Sequence, residues 1–346
     1  MKKRKTLFVL AAAVCLMLAA GAAAEEIGVR NYYADGQLMG ASPAVLPEAE
    51  QLIMHDAGAY SFAHTDVTMK EVCWDGRVLR IVYSVRDRTA DSVYTDDEVW
   101  ACTDDGDFAL QMSGADADGI TAQWGCDFLF VNGESVCLTG SMASRAGKET
   151  GEVLVYLESD LIERMAAEGT KTTLGDAFEV WLPILYDYRT RVDETPQALH
   201  CTVRNRDLPG LRSPALPEAA NDASGGVMTR LTQCLITPMR TYVQGEITLP
   251  AGLDDAAIER QVSRGLSLSL TVDGTEYEML EGASGVVNAS EQRFEEDEAG
   301  NFVMRYHMAA EEGAHIVFSG VFAPAPAGVR AMTIRLDETE FFFENP

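Results

Sequence analysis

Residues 104–108 read Asp-Asp-Gly-Asp-Phe, with Asp116 and Asp118 a little beyond. Calcium takes about six to eight oxygen ligands, and short acidic loops containing glycine supply them. Asp104, Asp105 and Asp107 are therefore the candidate metal ligands, and calcium is the one cofactor the sequence suggests. No glutamate closes an EF-hand loop here. The stretch reads first as a solvated acidic turn that binds calcium loosely or not at all.

Other chemistries find less support. The five histidines, His55, His64, His200, His307 and His315, include no His-Glu-x-x-His and no pair at helical spacing. His55 and His64, with Asp56 and Asp66 nearby, would form a metal or acid–base cluster only if the chain doubled back between them. A serine hydrolase of the α/β type needs Gly-x-Ser-x-Gly at a strand-to-helix turn. Gly282-Ala-Ser284-Gly is one residue short of it and reads as a loop. Arg145-Ala-Gly147-Lys148-Glu149 resembles the end of a phosphate-binding loop, but Glu149 stands where a magnesium-holding Ser or Thr belongs. Trp74, Trp100, Trp124 and Trp181 lie in strand-like runs, where core packing is the first reading and a glycan-stacking face the second. With 54 acidic residues, carboxylate pairs for polymer hydrolysis are too many to single out.

The chain opens MKKRKTLFVLAAAVCLMLAAGAAAEE. Four basic residues precede an apolar run, and Ala22 and Ala24 provide an A-x-A cleavage site, the pattern of a secretory signal peptide over residues 1–24. The run is also long enough for a short membrane span, so an uncleaved anchor is the alternative. Cleavage leaves 23 basic against 54 acidic side chains, a formal charge of −31. Such a chain is a poor partner for nucleic acid and for anionic membrane surfaces. Residues 89–144 contain no Lys or Arg at all against eleven Asp and Glu.

Six cysteines follow the leader: Cys73, Cys102, Cys126, Cys137, Cys201 and Cys234. None is in Cys-x-x-Cys, so zinc-site spacing is absent, and they read as small buried apolar residues. Around Asn132-Gly133 a two-residue turn would set Cys137 opposite Phe128 and Cys126 opposite Thr139. The two cysteines would then be diagonal neighbours, about 7 to 8 Å apart. A disulfide spans at most about 6.8 Å between Cα atoms, so no 126–137 bridge is expected.

The elements that would position these groups are strands. Asp75-Gly76, Asn132-Gly133 and Asp273-Gly274 each separate two runs rich in β-branched and aromatic residues, the signature of a hairpin closed by a type I′ turn. Further strand-like runs include 151–158, 177–184, 199–203, 229–237, 241–249, 302–308, 315–322, 329–336 and 340–343. Two helices interrupt them, one capped by Asp160 and one over about 254–264 before Gly265. Turns at this density with few helices predict a mainly β fold of two sandwiches. Pro209, Pro214, Pro217 and Gly225-Gly226 mark a linker over 206–228. The division is then a signal peptide (1–24), an N-terminal arm (25–59), a β-sandwich (60–205), the linker, and a second sandwich (229–346).

On DVTMKEVCWDGRVLRIVYSV, FEVWLPI (178–184) and CLITPMRTYVQGEITLP (234–250), the chain resembles a group of Gram-positive bacterial extracytoplasmic proteins of unknown function. Their ectodomain pairs an N-terminal β-sandwich with a C-terminal immunoglobulin-like domain, and some are anchored like the sensor halves of anti-sigma factors. The resemblance covers residues 60–345. It implies two immunoglobulin-like β-sandwich domains with short connecting helices. Anchored members carry a cytoplasmic region before their membrane helix, whereas only Met1 to Lys5 precede the apolar run here. The expected function is therefore a non-catalytic binding or interaction protein, secreted or surface-associated, whose partner is a protein or a cell-surface ligand. The alternative is a secreted hydrolase acting on cell-wall or dietary polymer.

Overall fold

Turn chemistry decides where the strands meet in the computed structural model. The structure describes residues 45–61, 65–87, 107–110, 120–123, 128–137, 142–146, 152–168, 173–184, 197–218, 220–221, 226–277, 279–296, 302–308 and 312–346. Residues 1–24, read above as a signal peptide, lie outside them, and among the described residues no helix is long and apolar enough to cross a membrane. The chain divides into two units: the described part of Ile53–Arg206, and that of Pro43–Leu52 with Asp207–Pro346. Both are mainly β, with four larger antiparallel sheets between them and few short helices.

Unit 1 contains β1 (Ile53–Ser61), β2 (Thr65–Trp74), β3 (Val78–Asp87), β4 (Asp107–Leu110), β5 (Ile120–Gln123), β6 (Phe128–Val131), β7 (Glu134–Cys137), β8 (Met142–Ala146), β9 (Glu152–Asp160), α1 (Leu161–Glu168), β10 (Ala177–Ile184) and β11 (Gln197–Arg204). The strand orders are β1-β2-β3-β9-β8 and β11-β10-β6-β7, with β4-β5 a separate pair. Trp74 of β2 meets Phe178 of β10 edge-to-face at 5.3 Å, and its indole N–H donates to Asn205 Oδ1 at 2.8 Å. A buried Trp needs such a polar partner for its N–H. Helix α1 starts as its sequence predicts, with Asp160 Oδ1 accepting from the Glu163 N–H at 3.0 Å.

The Asn132-Gly133 turn has the expected positive φ at both positions (49° and 84°), and Phe128 faces Cys137 as the two-residue loop requires. The β2–β3 turn differs from its expectation. Trp74 faces Leu79 and the Asp75 N–H donates to the Val78 carbonyl at 3.4 Å, so the central pair is Gly76 (φ 96°) and Arg77, one residue further along. The cause is the Asp75 side chain. Its Oδ1 accepts from the N–H groups of Arg77 (3.1 Å) and Val78 (2.9 Å), which holds Asp75 before the turn and leaves the positive φ to glycine.

Unit 2 contains a 3₁₀ turn (Pro47–Leu52), β12 (Ala220–Asn221), β13 (Met228–Ile236), β14 (Thr241–Ala251), α2 (Asp255–Gly265), β15 (Leu268–Val272), β16 (Thr275–Tyr277), β17 (Met279–Val286), β18 (Glu291–Glu296), β19 (Phe302–His307), β20 (Gly313–Phe322), β21 (Ala331–Leu336) and β22 (Thr339–Glu344). The orders are β12-β13-β14-β20-β17 and β16-β15-β21-β22, with β18-β19 a separate ribbon. Both larger sheets feed one core: Leu231, Val243, Ile247, Phe318 and Phe322 from the first, and Leu270, Met332, Ile334, Phe341 and Phe343 from the second. The Asp273-Gly274 turn is as expected (φ 46° and 83°), with Val272 facing Thr275.

Within the stretch read as a linker, residues 207–218 belong to unit 2. Arg212 exchanges backbone hydrogen bonds with Ile236 at 2.8 Å, and its guanidinium donates to the carbonyls of Ala325 (2.6 Å), Pro326 (2.9 Å) and Pro346 (3.0 Å). Ser284 lies in β17 opposite Phe318, in a strand and not in the loop the sequence suggested. The reason is packing. Gly265 closes α2 against it so tightly that a Cβ would sit 2.2 Å from Ser284 Oγ, and only glycine allows that approach.

Candidate functional site

Asp104 and Asp105 lie outside the described residues. Asp107 opens β4 opposite Gln123, and the described structure stops at its backbone. Among the described residues no group of three or more His, Cys, Asp and Glu is placed to hold a metal ion. The β1–β2 hairpin does double the chain back, but it sets His55 opposite Glu71 (Nδ1–Oε1 3.7 Å), while Asp66 accepts from Ser61 Oγ at 2.5 Å. His64 is outside the described residues. Of the tryptophans, Trp74 is core, Trp181 is half-buried, and Trp100 and Trp124 are not described.

Cys73, Cys201 and Cys234 are free and buried, as small core residues would be. Burial pushes each thiol up to about 12; the Arg80 guanidinium opposes this only partly at Cys73, as Arg212 does at Cys234. These are inert thiols, since the thiolate is the reactive form. Cys102 and Cys126 lie outside the described residues, and so does the expectation about a 126–137 bridge.

Two polar constellations stand out in unit 1. The first is buried. Arg80 and Asp75 have side chains at 0% exposure, joined by Nη1–Oδ2 at 2.9 Å. Arg80 also reaches Glu158 Oε1 (3.4 Å), and the Tyr156 hydroxyl donates to Glu158 Oε2. Arg77 extends the network to Asp160 (2.5 Å) and Glu163 (3.5 Å) at the start of α1. Register explains the assembly: Cys73, Arg80 and Glu158 lie abreast on β2, β3 and β9, with Val82 and Tyr156 one row along. Arg80, Val82 and Tyr156 are as buried as Leu79, Ile81 and Leu157 on the opposite face of the same strands. A guanidinium taken out of water there requires carboxylates around it. This is an architectural network, pinning the turn at Gly76 to the β9–α1 junction.

The second constellation is exposed. On β10 and β11, Glu179 faces Thr202 and Trp181 faces His200. Phe178, Val180, Leu199, Cys201 and Val203 alternate with these residues and enter the core, so the register puts the polar set on the outward face. The Trp181 and His200 rings stack with centroids 3.9 Å apart and planes 27° apart. Glu179 Oε1 accepts from Thr202 Oγ1 at 2.8 Å, and its Oε2 contacts His200 Nε2 diagonally across the strands. His200 and Glu179 are both 39% exposed. The result is a stacked indole–imidazole pair on the outward face with a carboxylate and a hydroxyl beside it, whose remaining ring surface and edges can meet an apolar or planar group while the polar neighbours hydrogen-bond its substituents.

Strand alternation in AFEVWLPI and ALHCTVR signals that Glu179, Trp181, His200 and Thr202 share a face if β10 and β11 pair. The pairing itself crosses residues 185–196, and nothing local to either strand specifies it. Unit 2 repeats the diagonal. His315 Nε2 contacts Glu246 Oε2 at 2.5 Å, and Arg230 donates to Glu246 Oε1 at 2.8 Å.

No protein-family model matches the chain, and no curated protein does. Among solved structures, the crystal structure of a conserved domain protein from Bacillus anthracis shows a distant likeness. Identity is 12%, the TM-score is 0.42, and the match covers 89% of this chain and 84% of that one.

Proposed function

We propose that this chain is a non-catalytic binding protein working outside the cytoplasmic membrane, built of two immunoglobulin-like β-sandwiches and related in role to sensor ectodomains. The observation that carries the reading is the outward stacked Trp181–His200 pair with Glu179 beside it. Its carboxylate is engaged by two neighbours on the same sheet, so the face holds its shape without a ligand, and a preformed surface binds without the cost of ordering loops. A secretory leader over residues 1–24, as their pattern reads, and the charge of −31 that its removal would leave favour work in the extracytoplasmic space on neutral or basic ligands.

The test is a panel of soluble cell-wall glycan fragments and plant polysaccharides titrated against the protein while Trp emission is followed. Saturable quenching that Trp181→Ala and His200→Ala each weaken at least tenfold supports the reading. Quenching indifferent to both substitutions removes it. The same polymers assayed for new reducing ends test the hydrolase alternative, which their release would favour.

A further inference from the structure

Strand β22 ends the order β16-β15-β21-β22, so one of its edges has no strand beside it among the described residues. Hydrogen-bonding parity shows which residues serve that edge. The Asn345 N–H donates to the Arg330 carbonyl at 2.8 Å, and Leu336 closes the two-residue turn opposite Thr339. In an antiparallel ladder, bonded pairs alternate with non-bonded ones. Residues 339, 341, 343 and 345 therefore bond to β21, and Glu340, Phe342 and Glu344 turn their N–H and C=O groups to the open edge.

The same three residues also own the outward face. Phe341 and Phe343 are core, while Phe342 is 58% exposed and Glu340 and Glu344 flank it in the open. The charges of this face are Glu276, Glu340 and Glu344 against Arg335, which pairs with Glu340 at 2.6 Å. An exposed edge invites another strand, and charge is one way a chain selects which. A second copy is a poor fit. Antiparallel self-pairing centred on Phe342 would set Glu340 against Glu344 twice, and like charges directly opposite are destabilising.

From these observations we propose that the β22 edge accepts an extended cationic segment of another protein as an added antiparallel strand, with an apolar residue across from Phe342 and Lys or Arg across from Glu340 and Glu344. Main-chain bonds to residues 340, 342 and 344 supply the attachment, and the alternating side chains supply the selection. The Glu340 carboxylate, with one oxygen on Arg335, keeps acceptor sites for a second cation. The edge belongs to unit 2 and involves none of the residues of the Trp181–His200 face.

The probe is a synthetic peptide, Thr-Lys-Thr-Val-Thr-Lys-Thr, titrated into the full chain and followed by amide NMR and calorimetry. Expected are shifts and slowed hydrogen exchange at the amides of 340, 342 and 344. A peptide N-methylated at Lys, Val and Lys, which retains charge but loses the edge-facing N–H groups, should bind at least tenfold more weakly. Glu340→Lys with Glu344→Lys should weaken the Lys peptide at least tenfold and admit its Glu counterpart. Equal binding of the N-methylated peptide would reduce the effect to attraction by an acidic chain and overturn the proposal. So would shifts elsewhere, or indifference to the double substitution.

Discussion

Replacing Asp75 with alanine removes three hydrogen bonds to one fully buried carboxylate: from the Arg77 and Val78 amides and from Arg80 Nη1. It also leaves Arg80, at 0% exposure, with its charge less well met. Breaking a buried ion pair by removing one partner costs about 3–5 kcal/mol, and a hydrogen bond to a charged group contributes about 1.5–3 kcal/mol. These overlap, so Asp75→Ala should cost unit 1 about 4 kcal/mol. Asp75→Asn retains an oxygen for both turn amides while losing the charge, and should cost about half as much. All four tryptophans, Trp74, Trp100, Trp124 and Trp181, lie between residues 53 and 206. Tryptophan emission, excited at the red edge where the tyrosines of unit 2 do not absorb, therefore reads unit 1 in a urea titration. With a slope of about 2 kcal/mol per molar urea for a unit of this size, the alanine midpoint should fall by about 2 M and the asparagine midpoint by about 1 M. A fall below about 0.5 M for alanine would refute the reasoning that the network anchors the turn. Equal falls for both would refute the separate role given to the turn amides.

Gly265→Ala should destabilise unit 2 by about 2 kcal/mol through overpacking against Ser284, with Ser284→Gly restoring most of it; thermal melts by far-UV circular dichroism would read both. Burial raises the Glu246 carboxyl, but the hydrogen bonds from Arg230 and His315 outweigh it and hold the group below its ordinary value. A folded-state pKa below the unfolded one stabilises above the unfolded value, near 4.5, and that stabilisation disappears as pH falls through the folded one. Because Arg230 and His315 are solvent-exposed, Glu246→Gln should cost only about 0.5 kcal/mol at pH 7 and nothing measurable near pH 3; an equal cost at both would contradict the ion pairing. Thiols held near 12 should resist alkylation in the native protein at pH 8, so mass mapping should find Cys73, Cys201 and Cys234 unlabelled until urea is added. Native labelling of any of them would contradict its burial.

Much of the local architecture was legible because it rests on short-range chemistry. Asn132-Gly133 and Asp273-Gly274 announce their turns through the backbone freedom those residues possess, and Asp160 announces a helix start through a side chain that reaches the third amide along. Asp75-Gly76 looks identical in sequence. It folds differently because Arg80, five residues on, draws the carboxylate inward, and that depends on a burial no local pattern displays. Glu179 and His200 stand 21 residues apart, and Ser284 is seated by a helix ending nearly twenty residues earlier. Long-range pairing determines which of 54 acidic side chains acquire partners, so composition alone was silent on it.

The central ladder of unit 1 carries long Val, Ile and Leu rows that bury on both faces, and such rows are nearly interchangeable. Sliding β9 by two residues along β3 would keep every side chain on its own face, and greasy contacts alone would scarcely object. The Arg80 row objects. Moved one way, the guanidinium would meet Tyr156 in place of Glu158; moved the other, it would take Asp160 away from Arg77 and from the first turn of α1. The charged row thus acts as a key that fits one alignment, a role attested for buried polar groups elsewhere. With alignment guarded there, the aliphatic positions around it are released to drift among residues of similar bulk, and related sequences can diverge widely in this ladder while keeping the same pairing.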